Sequence, residues 1–397
     1  MDQRTTAPKP HVLYLPRWYP HRYDPMPGLF IERHGISVST YFRVSVLYIH
    51  QDEMISNGKA EIIESSDEML NVVKIYYPKS KTGIGVLDKL LNICNFHKYH
   101  RKGINLISKR HGKPNLIHVH VLTRHGIIAL LQKWRQGIPY VITEHWTRYL
   151  PLTNSYRGFL RKIATRMVAA NASAIMPVSE NLRDAMIDCG IKNRNYIVIP
   201  NVVDMKMFRI QKKEKDRMIK RIIHVSCFDD RQKNISGILR VLKRMLEERD
   251  DFACDMVGDG IDYQNLLEYA SELKLPKERV VFYGLKENAE LAGLMAQADF
   301  MVMFSNYENL PVVILESYAC GVPVLSSDVG GIKEHLNTDL GILIRARDEE
   351  ALYREMNYML NNLEKYDPDK LRKYAINHFS NEVIGDHLRR VYESAIK

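Results

Sequence analysis

Short apolar runs rich in β-branched residues recur along the whole chain, separated by stretches with helical spacing, and this alternation leaves few architectures open. In the first half the runs are Val12–Leu15, Val44–Ile49, Val72–Tyr76, Leu116–Val121, Tyr140–Thr143, Ala174–Val178 and Tyr196–Ile199. Helical patterns such as Leu87–Ser108, Gly126–Trp134, Tyr156–Ala170 and Ser179–Cys189 lie between them. The second half repeats the scheme with Ile222–Ser226, Ala253–Val257, Val280–Tyr283, Phe300–Phe304, Val322–Ser326 and Gly341–Ile344. Strands alternating with helices predict parallel sheets covered on both faces, here two doubly wound α/β domains rather than one continuous sheet. With 397 residues the chain is long enough for both.

The boundary is expected within Pro200–Arg221, where IPNVVDMKMF gives way to the charged run QKKEKDR. The domains therefore read as 1–205 and 206–379, with a closing segment over 380–397. In that segment Ser380 is placed to cap a helix, and Val383, Leu388 and Val391 form an apolar stripe that could pack back across the first domain.

Charge is distributed unevenly. Residues 1–200 carry 28 Lys+Arg against 14 Asp+Glu, and residues 201–397 carry 29 against 33, so a net +14 and −4 make up the total of +10. Lys79–Lys113 holds nine basic residues and one acid, Asp88, interleaved with Leu87, Leu90, Leu91, Ile93, Phe96 and Tyr99. Such a stretch suits an anionic membrane surface or a phosphorylated acceptor, or is simply a solvated helix face. No nucleic-acid-binding motif accompanies the charge, and nucleic acid is not an expected partner. No run reaches the roughly 20 apolar residues of a membrane span, and MDQRTTAPKP lacks the apolar core of a signal peptide. The expected location is the cytoplasm, with peripheral contact at the inner face of the cell membrane. Five scattered cysteines without metal-ligand spacing read as buried free thiols.

Asn306–Gly331, NYENLPVVILESYACGVPVLSSDVGG, is where chemistry is expected. It follows an apolar strand, and Pro311 suits the first turn of a helix over Val312–Cys320 that Gly321 stops. A helix N-terminus at the carboxyl edge of a parallel sheet favours an anion. Glu308 sits at the mouth of that site and Glu316 about two turns inside the helix. A carboxylate accepts two sugar hydroxyls at once, so a phosphate between two sugars, a nucleotide sugar, fits the pattern.

Other candidates are weaker singly. Gly28 ends an aromatic and proline-rich loop, YLPRWYPHRYDPMPGLF, after the first strand. His118, His120 and His125 invite a metal reading, but no carboxylate or cysteine completes a known spacing, and cleft-lining or core histidines are the default. His145, in TEHW at the end of the Tyr140 strand, could donate to a sugar hydroxyl or serve as a packing histidine. Arg231 and Lys233, in SCFDDRQKN, could offset charge on a departing diphosphate. Gly258, in VGDG, is another carboxyl-edge turn that lacks the dinucleotide fingerprint.

Together these pieces resemble the retaining, nucleotide-sugar-dependent glycosyltransferases of family 4, which have the GT-B fold: α/β, with two Rossmann-like domains facing a central cleft. The resemblance is carried, in order, by PNVVDMKMF, HVSCFDDRQKN, MVGDGIDYQNLLEYASEL, VVFYGLKE, the Glu308–Glu316 pair, ACGVPVLSSDVGG and FSNEVIGDHLRRVYESA. It implies a transferase of the EC 2.4 class, hexosyl- or N-acetylhexosaminyl-type, working in cell-surface polysaccharide biosynthesis. The donor would be a UDP- or GDP-sugar, the acceptor a glycan or lipid-linked sugar, and no cofactor or metal would be needed. Glu316 would hold the ribose and Glu308 the hydroxyls of the transferred sugar. The amides from Asn309 through Leu310 and Val312 would meet the diphosphate, with Lys233 neutralising it. His145 would face the reacting carbon, and Gly28 would border phosphate and acceptor. Two residues depart from the family pattern. Ser226-Cys227 replaces a common Gly-Arg, leaving Arg231 as the substitute, and Pro311 stands where a glycine is frequent. A nucleotide-sugar epimerase and a non-catalytic sugar-nucleotide binder are the alternatives.

Overall fold

A computed structural model describes residues 8–55, 58–122, 124–153, 155–213 and 218–397. The first sheet is built from β1 (His11–Pro16), β2 (Arg43–Asp52), β3 (Glu61–Ser66), β4 (Leu70–Pro78), β5 (Leu116–His120), β6 (Tyr140–Glu144) and β7 (Ala174–Pro177), in spatial order β3-β4-β2-β1-β5-β6-β7. The second comprises β8 (Lys220–Val225), β9 (Phe252–Val257), β10 (Val280–Gly284), β11 (Phe300–Met303), β12 (Val324–Ser327) and β13 (Gly341–Ile344), ordered β10-β9-β8-β11-β12-β13. Every pairing is parallel except that of β3 with β4. Both orders reverse beside the first strand, which opens a crevice at the carboxyl ends where ligands bind in such sheets.

Two local readings change. EIIESS forms the edge strand β3, joined to β4 by a turn in which Asp67 Oδ1 accepts from the N–H groups of Met69 and Leu70, both at 2.7 Å. Glu61 and Glu64 on this edge block further pairing. Conversely, Tyr196–Ile199 is not a strand. It runs beside β7 through Ile197 N–H to Ile175 O and Ile199 N–H to Pro177 O, bridging only at Tyr196.

The helices of the first domain are α1 (Leu29–Val38), α2 (Gly85–His111), α3 (Arg124–Gln136), α4 (Phe159–Asn171) and α5 (Glu180–Asp188). The rest are α6 (Asp230–Lys233), α7 (Ile235–Leu246), α8 (Tyr263–Glu272), α9 (Asn288–Gln297), α10 (Val312–Ala319), α11 (Glu349–Asn361), α12 (Pro368–Phe379) and α13 (Asn381–Ile396). Within the basic segment Phe96 and Tyr99 are core residues, whereas Leu87, Leu90, Leu91 and Ile93 of α2 are exposed. Cys254 and Cys320 are buried free thiols, but Cys94 and Cys227 are exposed and Cys189 is half-buried, which corrects the expectation for those three.

After α12 the chain returns to the first domain. Ser380 caps α13 by accepting from Val383 N–H, and Ile384, Leu388 and Tyr392 join a core with Ile31 and Val38 of α1. The Tyr392 hydroxyl meets Tyr14 Oη at 2.7 Å and His118 Nδ1 at 2.6 Å. Gly385 permits this closeness, because a Cβ there would stand 2.3 Å from Ser37 O. Gly385→Ala should therefore cost about 1–3 kcal/mol of stability. Gly293→Ala on α9, where a Cβ meets nothing, should be neutral or stabilise by up to about 1 kcal/mol, and thermal denaturation of the pair checks the contrast.

Candidate active site

The β11 strand is fully buried and delivers Ser305–Pro311 to the carboxyl edge, where α10 begins. Pro311 is the N-cap residue, just outside the helix rather than in its first turn. The Val312 and Val313 N–H groups have no carbonyl one turn back and remain available to an anion, whereas Ile314 N–H donates to Pro311 O at 3.2 Å. The loop after β12 holds this segment down. Gly330 packs where a Cβ would be 2.2 Å from Glu308 O, and Gly331 N–H donates to Asn309 O at 2.8 Å.

A cavity of about 720 Å³ opens here between the two sheets, lined among others by Arg33, Cys227, Lys233, Gly258, Glu308, Pro311, Val312 and Glu316. A second of about 420 Å³ adjoins it through the shared Phe30, Glu308 and Val312, and adds Trp18, Gly28, His145, Asn201, Asn309 and Leu310. Most of the residues singled out by sequence therefore meet in one cleft.

Both carboxylates are buried and paired. Glu308 Oε1 accepts from Lys233 Nζ and, at 3.0 Å, from Ser305 Oγ. Burial, the largest influence, lowers the Lys233 ammonium, but Glu308, Cys227 and Tyr307 outweigh it and hold Lys233 above the ordinary lysine value. Glu316 Oε1 receives Arg33 Nη1 at 2.6 Å from α1, an ion pair that crosses the cleft. Arg33 is absent from the residues singled out by sequence, because Tyr14–Phe30 reads as one long loop and the helix that begins at its end was not anticipated. The available signal was Gly28, a left-handed residue at φ 80° that starts α1 and places Arg33 in the second turn.

One candidate lies elsewhere, and two glycines that line the cleft also serve the packing of the chain. Arg231 is exposed and does not line the cleft, because it stands two residues from Lys233 on α6 and points elsewhere. Gly258 lines the larger cavity and also answers a packing need, since a Cβ would lie 1.9 Å from Ser226 O and its N–H donates to Gly284 O. Gly28 does border the smaller cavity, but its close approach is to Trp18 O, 2.2 Å from a built Cβ.

Asn309 fastens the domains together, its Nδ2 donating to His145 O at 3.1 Å and its Oδ1 accepting from Ser179 Oγ at 2.8 Å. His145 is partly buried, with Nε2 3.3 Å from His120 Nδ1, and burial followed by His34 depresses it far below the usual histidine range. It is therefore a neutral donor or acceptor, not a cation. The histidines that converge are His34, His120 and His145, with nitrogens within 4.8 Å of one another. His125 instead packs against Phe96 and His100, and His118 bonds Tyr392 and Thr143.

Glu144, just before His145, is fully buried and pushed up to about 7 by desolvation. It accepts from His145 N–H and Trp146 N–H, both at 2.9 Å, and from Leu122 N–H at 2.8 Å.

Two doubly wound sheets whose carboxyl ends face one cleft, with a helix N-terminus opening into it, define the GT-B class of fold. The family model described as "Glycosyl transferases group 1" matches residues 206–378, and the one described as "Glycosyltransferase Family 4" matches residues 83–206. The chain belongs to the GT-B glycosyltransferases of the family 4 type. Among relatives, N-acetyl-alpha-D-glucosaminyl L-malate synthase of Bacillus anthracis is 25% identical over 297 residues, 71% of this chain and 75% of that protein. Among solved structures, sucrose-phosphate synthase from Thermosynechococcus elongatus superposes with TM-score 0.76 at 18% identity, covering 97% of this chain and 98% of that one. Anabaena HepE in complex with UDP gives 0.70 at 16% identity, covering 97% and 100%.

Glu144→Gln would set an amide N–H against one of the backbone donors at this turn. We expect a loss of about 1–3 kcal/mol of stability. Turnover should fall as His145 shifts, while nucleotide affinity, measured by calorimetry, should hold.

Proposed function

We propose that the chain transfers a hexosyl or N-acetylhexosaminyl group from a UDP- or GDP-sugar to a glycan or lipid-linked acceptor, with retention of configuration, in cell-surface polysaccharide biosynthesis. The observation that carries this reading is the pair of buried carboxylates flanking the N-terminus of α10, each already matched by a cation in one cleft. In it, Glu316 exchanges Arg33 for the ribose hydroxyls. Arg33 then turns to the diphosphate, which the first N–H groups of α10 and Lys233 also meet. This gives the cleft a second cation where the family arginine is replaced by Cys227. Glu308 takes the hydroxyls of the transferred sugar, and neutral His145 donates beside the reacting carbon.

The bond from the anomeric carbon to the diphosphate breaks as the bond to the acceptor oxygen forms on the same face. The acceptor proton passes to the departing phosphate, so no residue need serve as base and the reading uses no metal ion. Withdrawing charge stabilisation from the leaving group is the direct test. Lys233→Ala should lower kcat by about 10²–10³-fold. NMR of the product with the anomerically pure donor should show the donor's configuration kept. An inverted product rejects retention, and isomerised donor in the absence of acceptor rejects transfer.

Contact with an anionic membrane is part of the proposal. No helix among the described residues is long and apolar enough to cross a membrane. The surface that would lie on one is α2, where Val86, Leu87, Leu90 and Ile93 are exposed among Lys89, Lys98, Arg101 and Lys102. Co-sedimentation with phosphatidylglycerol vesicles should occur at low salt and fall steeply by about 0.5 M, where screening is nearly complete. Absence of binding at low salt rejects this surface.

A further inference from the structure

Beside the smaller cavity the first domain gathers arginines that the donor chemistry does not use. Arg17 follows β1, Arg148 follows β6, Arg124 opens α3 and Arg161 lies in the first turn of α4. The guanidinium carbons of Arg17 and Arg148 lie 4.2 and 3.4 Å from the centre of the Trp146 ring, which itself meets Trp18 edge-on at 5.5 Å. The Nε atoms of Arg17 and Arg148 are buried without a hydrogen-bond partner. None of the four arginines forms an ion pair among the described residues. Glu144 is the carboxylate felt by both Arg17 and Arg148, and its oxygens are engaged by three backbone N–H groups.

Guanidiniums fixed on an indole face, without a counter-ion of their own, are arranged for a multivalent oxyanion. Burial first, then Arg148, Arg124 and Arg161, depress Arg17, a repulsion that a bound anion would relieve. Trp18 and Thr147, the chain neighbours of Arg17 and Arg148, line the cavity that holds His145. An anion bound here would therefore sit on the acceptor side of the reacting carbon.

We propose that Arg17 and Arg148, stacked on Trp146 and supported by Arg124 and Arg161, bind a phosphate or diphosphate group carried by the acceptor. The inference rests on the glycosyltransferase reading and specifies the class of acceptor. Two sources share this chemistry, a soluble sugar phosphate and a lipid-linked sugar diphosphate. The exposed Leu152, Phe159 and Leu160 adjoin these arginines in the chain and offer a place for a lipid tail.

Trp18 and Trp146 are two of the three tryptophans, so ligand binding can be followed by intrinsic fluorescence. The full chain, first saturated with UDP or GDP to fill the donor cleft, is titrated with inorganic pyrophosphate, glucose 6-phosphate and farnesyl diphosphate. Saturable quenching is expected with at least one, weakened about tenfold or more in Arg17→Gln and in Arg148→Gln, with nucleotide affinity unchanged as the check on folding. Tighter binding of farnesyl diphosphate than of pyrophosphate, lost in a Phe159→Ser/Leu160→Ser double variant, identifies the lipid source. Preference for glucose 6-phosphate, unaffected by that variant, identifies the soluble one. No quenching, quenching only when the nucleotide is omitted, or variants that bind like the wild type overturn the proposal. Failure of the wild type to bind either nucleotide instead counts against the donor reading.

Discussion

Every acid the donor cleft contributes from α10 and its preceding loop is buried against a cation, and the rest of the site depends on that constraint. An unpaired charge in such surroundings costs several kcal/mol, and Lys233 and Arg33 face Glu308 and Glu316 so that neither buried carboxylate stands alone. The two pairs differ in where their partners live. Lys233 belongs to the same domain as Glu308, so that pair survives any motion between domains. Arg33 comes from α1, and Glu316 loses its partner whenever the cleft widens.

Several polar contacts cross between the domains, beside the apolar core to which both contribute. Besides Arg33–Glu316 they include the Asn309 bonds to His145 and Ser179, and Glu334, whose oxygens accept from the N–H groups of Glu180 and Asn181 at 2.7 and 2.8 Å. Glu334 thus caps α5 from the other domain, and burial raises its carboxyl above the usual range. Polar contacts of this kind lose little when water replaces them. They would break and re-form readily as two bodies part to admit substrate and close over it.

Much of this was legible in the sequence. The alternation of apolar runs and helical patterns predicted both sheets, because buried parallel strands leave a contiguous signature that does not depend on neighbours. The Glu308–Glu316 spacing and Lys233 were readable because strand, turn and helix are local. What escaped was set by tertiary pairing. EIIESS looks too polar for a strand until its edge position is known, and Tyr196–Ile199 has strand composition but only one bridge to β7. Arg33 was invisible as a partner of Glu316 across a separation of 283 residues. Gly28 and Gly258 both border the cleft, and each also permits a close approach of protein backbone, to Trp18 O and Ser226 O, that no local pattern announces. His145 stands out at the end of its strand, whereas Glu144, which holds the turn by accepting from three backbone N–H groups, has no sequence pattern to mark it.

The two departures from the family pattern, Cys227 for an arginine and Pro311 for a glycine, fall on the same face of the donor cleft, one removing a cation and the other an N–H donor. In this chain the cation that lines that cavity besides Lys233 and the peripheral Lys286 is Arg33, supplied by the opposite domain. A guanidinium supplied by the opposite domain would reach a leaving diphosphate only with the cleft closed, whereas an arginine in the second domain would not depend on closure. In the proposed reaction charge compensation is therefore tied to closure, which would also bring His145 and the Arg17–Arg148 face toward the transferred sugar. An open complex would hold the donor by its ribose with the diphosphate only partly neutralised. Loss of the sugar to water would thus be suppressed until the acceptor domain has arrived.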